Sequence, residues 1–226
     1  MIPRLTTILL LATAIAPAQA ISTPRLSCRV VQTAEATTLA TKAKGSDEEL
    51  VFEIGWETGT EKVAGFGSST AENGIITSTH RLGKTTLTRT ILASAAADCI
   101  LIHIIADKPG AVCFRARFRS DHPARIRNRR EILLSGEKIQ AHAWIIPFES
   151  DVRDDGKGTV ILDGEGEALI ILNLTADQEA SPIADTLTRL GKKHDPGHSP
   201  PGPHLIWEGI KEERARGRPG EGGGEE

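Results

Sequence analysis

The sequence predicts an all-β chain: a two-sheet antiparallel β-sandwich with one short C-terminal helix and a disordered tail. From Leu50 onward, short β-branched runs are separated by Gly, Asp and Asn, with little sustained helical periodicity before Ile183. Across residues 112–119, Val112, Phe114, Ala116 and Phe118 alternate with Cys113, Arg115, Arg117 and Arg119, the period of a strand with one dry and one wet face. Glycine-bearing turns recur at short intervals between such runs, which is how a sandwich reads.

Residues 1–20, MIPRLTTILLLATAIAPAQA, join a basic Arg4, an apolar run from Ile8 to Ile15 and the small-x-small ending Ala18-Gln19-Ala20. That is the pattern of a secretory signal peptide, so the mature chain is expected to begin near Ile21 and to be secreted or periplasmic. The run falls short of the ~20 apolar residues a bilayer span needs, as does every later stretch, so no membrane partner is expected after cleavage. A sandwich domain is expected over residues 21–192. Residues 74–80 and 85–91 flank Arg81-Leu82-Gly83-Lys84 as a hairpin. Residues 99–105 are apolar on both faces, and Lys108-Pro109-Gly110-Ala111 then sets proline and glycine where a type II turn wants them. Strands follow at 112–119, 131–135, 139–148, 158–162 and 168–174. Trp56 and Trp144 lie in or near these strands as expected core. Residues 181–191 read as the short helix, with Ser181-Pro182 opening it and Gly191 closing it. Residues 193–226 are rich in Pro, Gly and charge, a composition expected to stay disordered, with Leu205-Ile206-Trp207 as its apolar group.

At 226 residues with a net charge of -3, the chain can bury a core without staples, and its balance gives no reason to expect nucleic acid as partner. Cys28, Cys99 and Cys113 are odd in number, allow at most one internal disulfide, and have no CxxC spacing or histidine cluster, so no metal site is expected. No cofactor motif is present, and no G-x-S-x-G, H-E-x-x-H, Walker or Rossmann pattern or spaced carboxylate pair names a catalytic residue. Residues 151–158, DVRDDGKG, put Asp151, Asp155 and Gly156 at calcium-loop places, but Arg153 and Leu162 stand where ligands are required, so a polar turn is the better reading. The densest charge is Arg115, Arg117, Arg119, Arg125, Arg127, Arg129 and Arg130, seven arginines in residues 115–130. Arg115, Arg117 and Arg119 are the candidate ligand-binding residues, for an anionic polysaccharide or an acidic partner. The aromatic Phe114 and Phe118 belong to the opposite face, so stacking does not accompany the charge and a solvated face is the plainer reading.

Residues 85–124 carry the phrases Thr88-Arg89-Thr90-Ile91-Leu92-Ala93-Ser94, Asp98 and Ala106-Asp107-Lys108-Pro109-Gly110 in that order, followed by EILLSGE at 131–137 and GEGEALIILNLTAD at 164–177. With these, residues 45–190 resemble the N-terminal domain of glycoside hydrolase family 95, the α-L-fucosidase-like enzymes with a family 65-type N-terminal domain. The resemblance implies a supersandwich-like β-sandwich whose phrases are structural, with the family's catalytic acids in a separate (α/α)6 barrel that follows. The expected function is therefore a secreted, carbohydrate-associated module without catalysis of its own, its partner a carbohydrate or a separate hydrolase barrel. A truncated or split α-L-fucosidase, its barrel encoded separately, and a secreted interaction protein holding acidic partners through the arginine face stay open beside it.

Overall fold

The computed structural model describes residues 18–33, 35–56, 63–72, 74–95, 97–148, 152–175 and Trp207, and of residues 63–72 and Glu165 only the backbone. In chain order the strands are β1 (Gln19–Ser22), β2 (Leu26–Gln32), β3 (Ala36–Ala43), β4 (Glu49–Trp56), β5 (Val63–Glu72), β6 (Ile75–Leu82), β7 (Thr85–Ser94) and β8 (Cys99–Ala106). They continue as β9 (Val112–Arg119), β10 (Ala124–Arg127), β11 (Glu131–Ser135), β12 (Gln140–Pro147), β13 (Val152–Asp154), β14 (Thr159–Glu165) and β15 (Glu167–Thr175). A seven-stranded sheet in the order β1-β2-β3-β4-β9-β14-β13 packs on an eight-stranded one in the order β10-β11-β12-β15-β8-β7-β6-β5. The fold is the expected two-sheet antiparallel sandwich.

Four strands, β1 to β4, begin before Leu50, ahead of the β-branched runs that mark the later strands. β1 includes Gln19 and Ala20, the end of the stretch read as a signal peptide, and pairs them with Val30 and Arg29 of β2. Residues 1–17, and the helix expected at 181–191, lie outside the described residues.

The Lys108-Pro109-Gly110 corner has a larger task than reversing the chain. It joins β8 to β9, which belong to different sheets. Gly110 sits at φ +72°, the left-handed conformation that the third residue of a type II turn requires. A Cβ there would meet the Gly164 carbonyl oxygen at 3.6 Å, an ordinary contact, so the demand for glycine is conformational rather than spatial. Carboxylates lace the sheets together elsewhere. In the β7–β8 turn, Asp98 accepts from the Thr23 hydroxyl and the Arg25 N–H of the β1–β2 turn. Glu48, just before β4, accepts from the N–H groups of Glu137 and Lys138 in the β11–β12 turn at 3.2 and 3.1 Å.

Alternation explains the core. Phe52 and Ile54 of β4 and Phe114, Ala116 and Phe118 of β9 face Ile100, Ile102 and Ile104 of β8 and Ile170 and Leu172 of β15 in one cluster between the sheets. Phe52 and Phe118 are register partners with ring centroids 5.1 Å apart, a pair worth about 0.5–1.5 kcal/mol beyond its buried area.

The central strands of the second sheet are buried on their outer side as well. Leu92, Cys99, Leu101, Leu169 and Ile171 are all at 0 % exposure, and with Ala97, Trp144 and Ile146 they form a second cluster whose remaining buried member is Trp207. Trp207 thus departs from the disordered tail expected over 193–226; the rest of that stretch lies outside the described residues. Its ring stacks on His103 at 4.7 Å with 26° between planes. Trp207→Ala should cost about 3–5 kcal/mol of stability, read as a lower urea midpoint. A midpoint equal to wild type would mean that the second cluster does not need Trp207.

Candidate functional site

Among the described residues, Ile105 and Phe148 are the large apolar side chains left exposed, at 41 % and 53 %. Both line one groove of about 440 Å³ at the end of the second sheet, closed along its side by the Asp107–Gly110 corner. Strand alternation puts them there: Ile105 continues the outward row of Leu101 and His103 on β8, and Phe148 follows Trp144 and Ile146 beyond β12. Asp107, Lys108 and Glu167 supply the polar edge. Asp107 Oδ1 accepts from the Thr86 N–H at 2.9 Å, and its own N–H donates to the Thr86 carbonyl at 3.0 Å, which fixes the corner. Glu167 Oε1 lies 2.7 Å from His103 Nε2, and His103 is the ring under Trp207. The groove therefore has an apolar floor and hydrogen-bonding rim on rigid strand ends, within the ~300–1,000 Å³ of small-ligand sites.

Arg115, Arg117 and Arg119 are exposed on the outer face of the first sheet, as the alternation predicts. The structure does not leave them as a bare cationic strip. Glu53, opposite Arg117 on β4, accepts from Arg117 Nε and Nη2 at 3.1 and 3.0 Å and also pairs with Arg119. Arg125 and Arg127 lie on β10, an edge strand of the other sheet, so the seven arginines share no single face. Arg127 bonds Glu131, which His142 Nε2 approaches at 3.1 Å. Burial alone would raise the Glu131 carboxyl, but the bonds from His142 and Arg127 outweigh it and hold it below the ordinary carboxylate range. Asp151 lies outside the described residues; Asp155 Oδ1 accepts from the Lys157 and Thr159 N–H groups at 2.8 and 3.0 Å, as in a polar turn. Among the described residues no three His, Cys, Asp or Glu side chains gather as a metal site needs. Cys28, Cys99 and Cys113 are all thiols, and burial, with Glu49 adding to it, pushes Cys28 up to about 12.

A third polar group lies between the sheets. Arg89 of β7 is at 0 % exposure, its Cζ 4.7 Å from the centroid of the Trp56 ring, and its Nη1 donates to the Thr37 hydroxyl. Trp56 lies 4.9 Å from the ring of His80, which is also fully buried. Burial pulls Arg89 down to about 9, so it keeps its proton at neutral pH. Sequence reading placed Arg89 only in a structural phrase. The available signal was its register, since Leu87, Arg89 and Ile91 share one inward face.

No protein-family model matches the chain, and no curated protein matches it in sequence.

Burial, reinforced by the charge of Arg89, pushes the His80 pKa from 6.5 down to about 3. Between those values the unfolded chain holds a proton at His80 that the folded chain does not, so stability is highest above 6.5 and falls as pH drops towards 3. His80→Gln should flatten that part of the stability-pH curve in urea unfolding across the window. A slope equal to wild type would show that His80 is protonated inside the fold.

Proposed function

We propose that the chain is a secreted or periplasmic carbohydrate-binding module, non-catalytic by itself, which holds a sugar in the groove of Ile105, Pro109 and Phe148. The observation that carries this is the convergence of the two large apolar side chains exposed among the described residues, Ile105 and Phe148, on one groove edged by Asp107, Lys108 and Glu167. A pyranose has the complementary surface: a face of C–H groups to lie on a ring, and hydroxyls that donate to carboxylates and accept from an ammonium. The carboxylates on the rim are anchored by Thr86 and His103, an arrangement suited to orienting hydroxyls. The resemblance of residues 45–190 to the sandwich of α-L-fucosidase-like hydrolases supports the same ligand class, and the pattern of residues 1–20 supports export.

The test is affinity electrophoresis of the full chain through gels holding a fucose-bearing polysaccharide or a fucose-free glucan, with wild type and Phe148→Ala compared. Retardation by a polysaccharide, weakened about tenfold in Phe148→Ala, is the expected result. Equal retardation of both proteins would remove the groove from the site, and retardation by neither gel would overturn sugar binding. Turnover of an aryl α-L-fucoside by the chain alone, abolished by replacing one carboxylate, would overturn its non-catalytic half.

A further inference from the structure

The interior polar group has a composition that the fold alone does not account for. Gln32 and Thr37 are register partners on β2 and β3, Trp56 ends β4, and Ser78 of β6 lies opposite Arg89 of β7, so both sheets contribute to it. Among the described residues, Arg89 Nε and Nη2, Trp56 Nε1, Ser78 Oγ, and both side-chain polar atoms of Gln32 and of His80 are buried without a hydrogen-bond partner. Buried polar groups are nearly always bonded, and a concentration of exceptions in one place calls for a bound water, a ligand or an ion. The set is biased: the arginine and indole nitrogens can only donate, and the guanidinium is charged. Among the described residues no carboxylate pairs with Arg89, whereas Arg117, Arg119 and Arg127 on the surface all have one.

We propose that Arg89, with Trp56, His80, Ser78 and Gln32, forms a binding site for a small monovalent anion between the two sheets. One guanidinium calls for one negative charge, and the obligate donors exclude a cation. A core about 10 Å thick and filled by side chains from both sheets excludes a sugar or a nucleotide, which limits the occupant to the size of a halide or a formate. Trp56 is the half-buried member of the group, and the outer cavity of about 370 Å³ that it lines is edged by Arg115 and Arg117 and by the carboxylates of Glu53 and Asp155. This site is separate from the sugar groove, and neither depends on the other.

The experiment is thermal melting of the full chain at constant ionic strength, with sodium bromide or sodium formate replacing sodium gluconate. Bromide should raise the wild-type Tm by roughly 5–10 °C once it reaches about a hundred times its Kd. Arg89→Met, which replaces the buried charge with an apolar chain of similar length, should fold and lose the dependence. Should that variant not fold, Ser78→Ala and Gln32→Leu serve in its place, each expected to weaken anion affinity at least about threefold. Bromide-soaked crystals should show an anomalous peak in contact with Arg89 Nε or Nη2. An equal response to formate would assign a site that also takes carboxylates, and a response to bromide alone a spherical one. Superimposed bromide and gluconate curves for wild type, or the same bromide response in the variants, would overturn the proposal.

Discussion

β8, β12 and β15 have apolar side chains on both faces, and a sheet built that way must be roofed twice. The first sheet is one roof, through Phe52, Ile54, Phe114 and Ala116. On the other side, Leu101, Leu169 and Ile171 are buried in a cluster that Trp207 joins. Trp207 is the described residue from beyond β15 that covers this second face. Through its stack on His103 and the bond from His103 to Glu167, this cover is also tied to the rim of the groove lined by Ile105 and Phe148. Covering the sheet and holding the rim in place are thus one packing problem. The groove opens where the double burial stops, at Ile105 and Phe148.

Local chemistry made most of the sandwich legible. The alternation of β9 gave both its strand and its wet face, because a period of two is written in adjacent residues. The hairpin of β6 and β7 was readable from its glycine turn, and the two-faced apolarity of β8 from its run of aliphatic residues. What failed is what depends on distant partners. A Pro-Gly turn has the same sequence whether the next strand pairs with the last one or crosses to the opposite sheet, and at Gly110 it crosses. β2 and β3, LSCRVVQ and ATTLATKA, mix small and polar residues, and they become strands by pairing with each other and with β4. Trp207 lies in a segment whose composition cannot build a core, yet one indole ring needs only a prepared apolar surface to bury itself.

The candidate sites divide in the same way. Arg115, Arg117 and Arg119 stood out because charge in an alternating strand is conspicuous, but the carboxylate of Glu53 that pairs two of them comes from a strand about sixty residues earlier. The groove could not be read locally, since Ile105, Lys108, Phe148 and Glu167 meet only because β15 pairs with β8 and β12.

Arg89 shows why register matters more than residue type. The same guanidinium that is half-exposed at Arg117 and Arg119 is at 0 % exposure in β7, because Leu87 and Ile91 fix which face of the strand turns inward. A surface arginine is served by water when its carboxylate moves away, whereas one between two sheets has only the groups that the sheets present. Thr37 takes one of its N–H groups and the Trp56 ring faces its cationic carbon, and both are neutral. His80 stands beside the same indole, where burial, and after it the charge of Arg89, discourages a second proton and leaves one ring nitrogen as an acceptor. Among the described residues the strand pattern therefore sets a positive charge beside neutral neighbours inside the core, and it does so through the inward register of Arg89 alone.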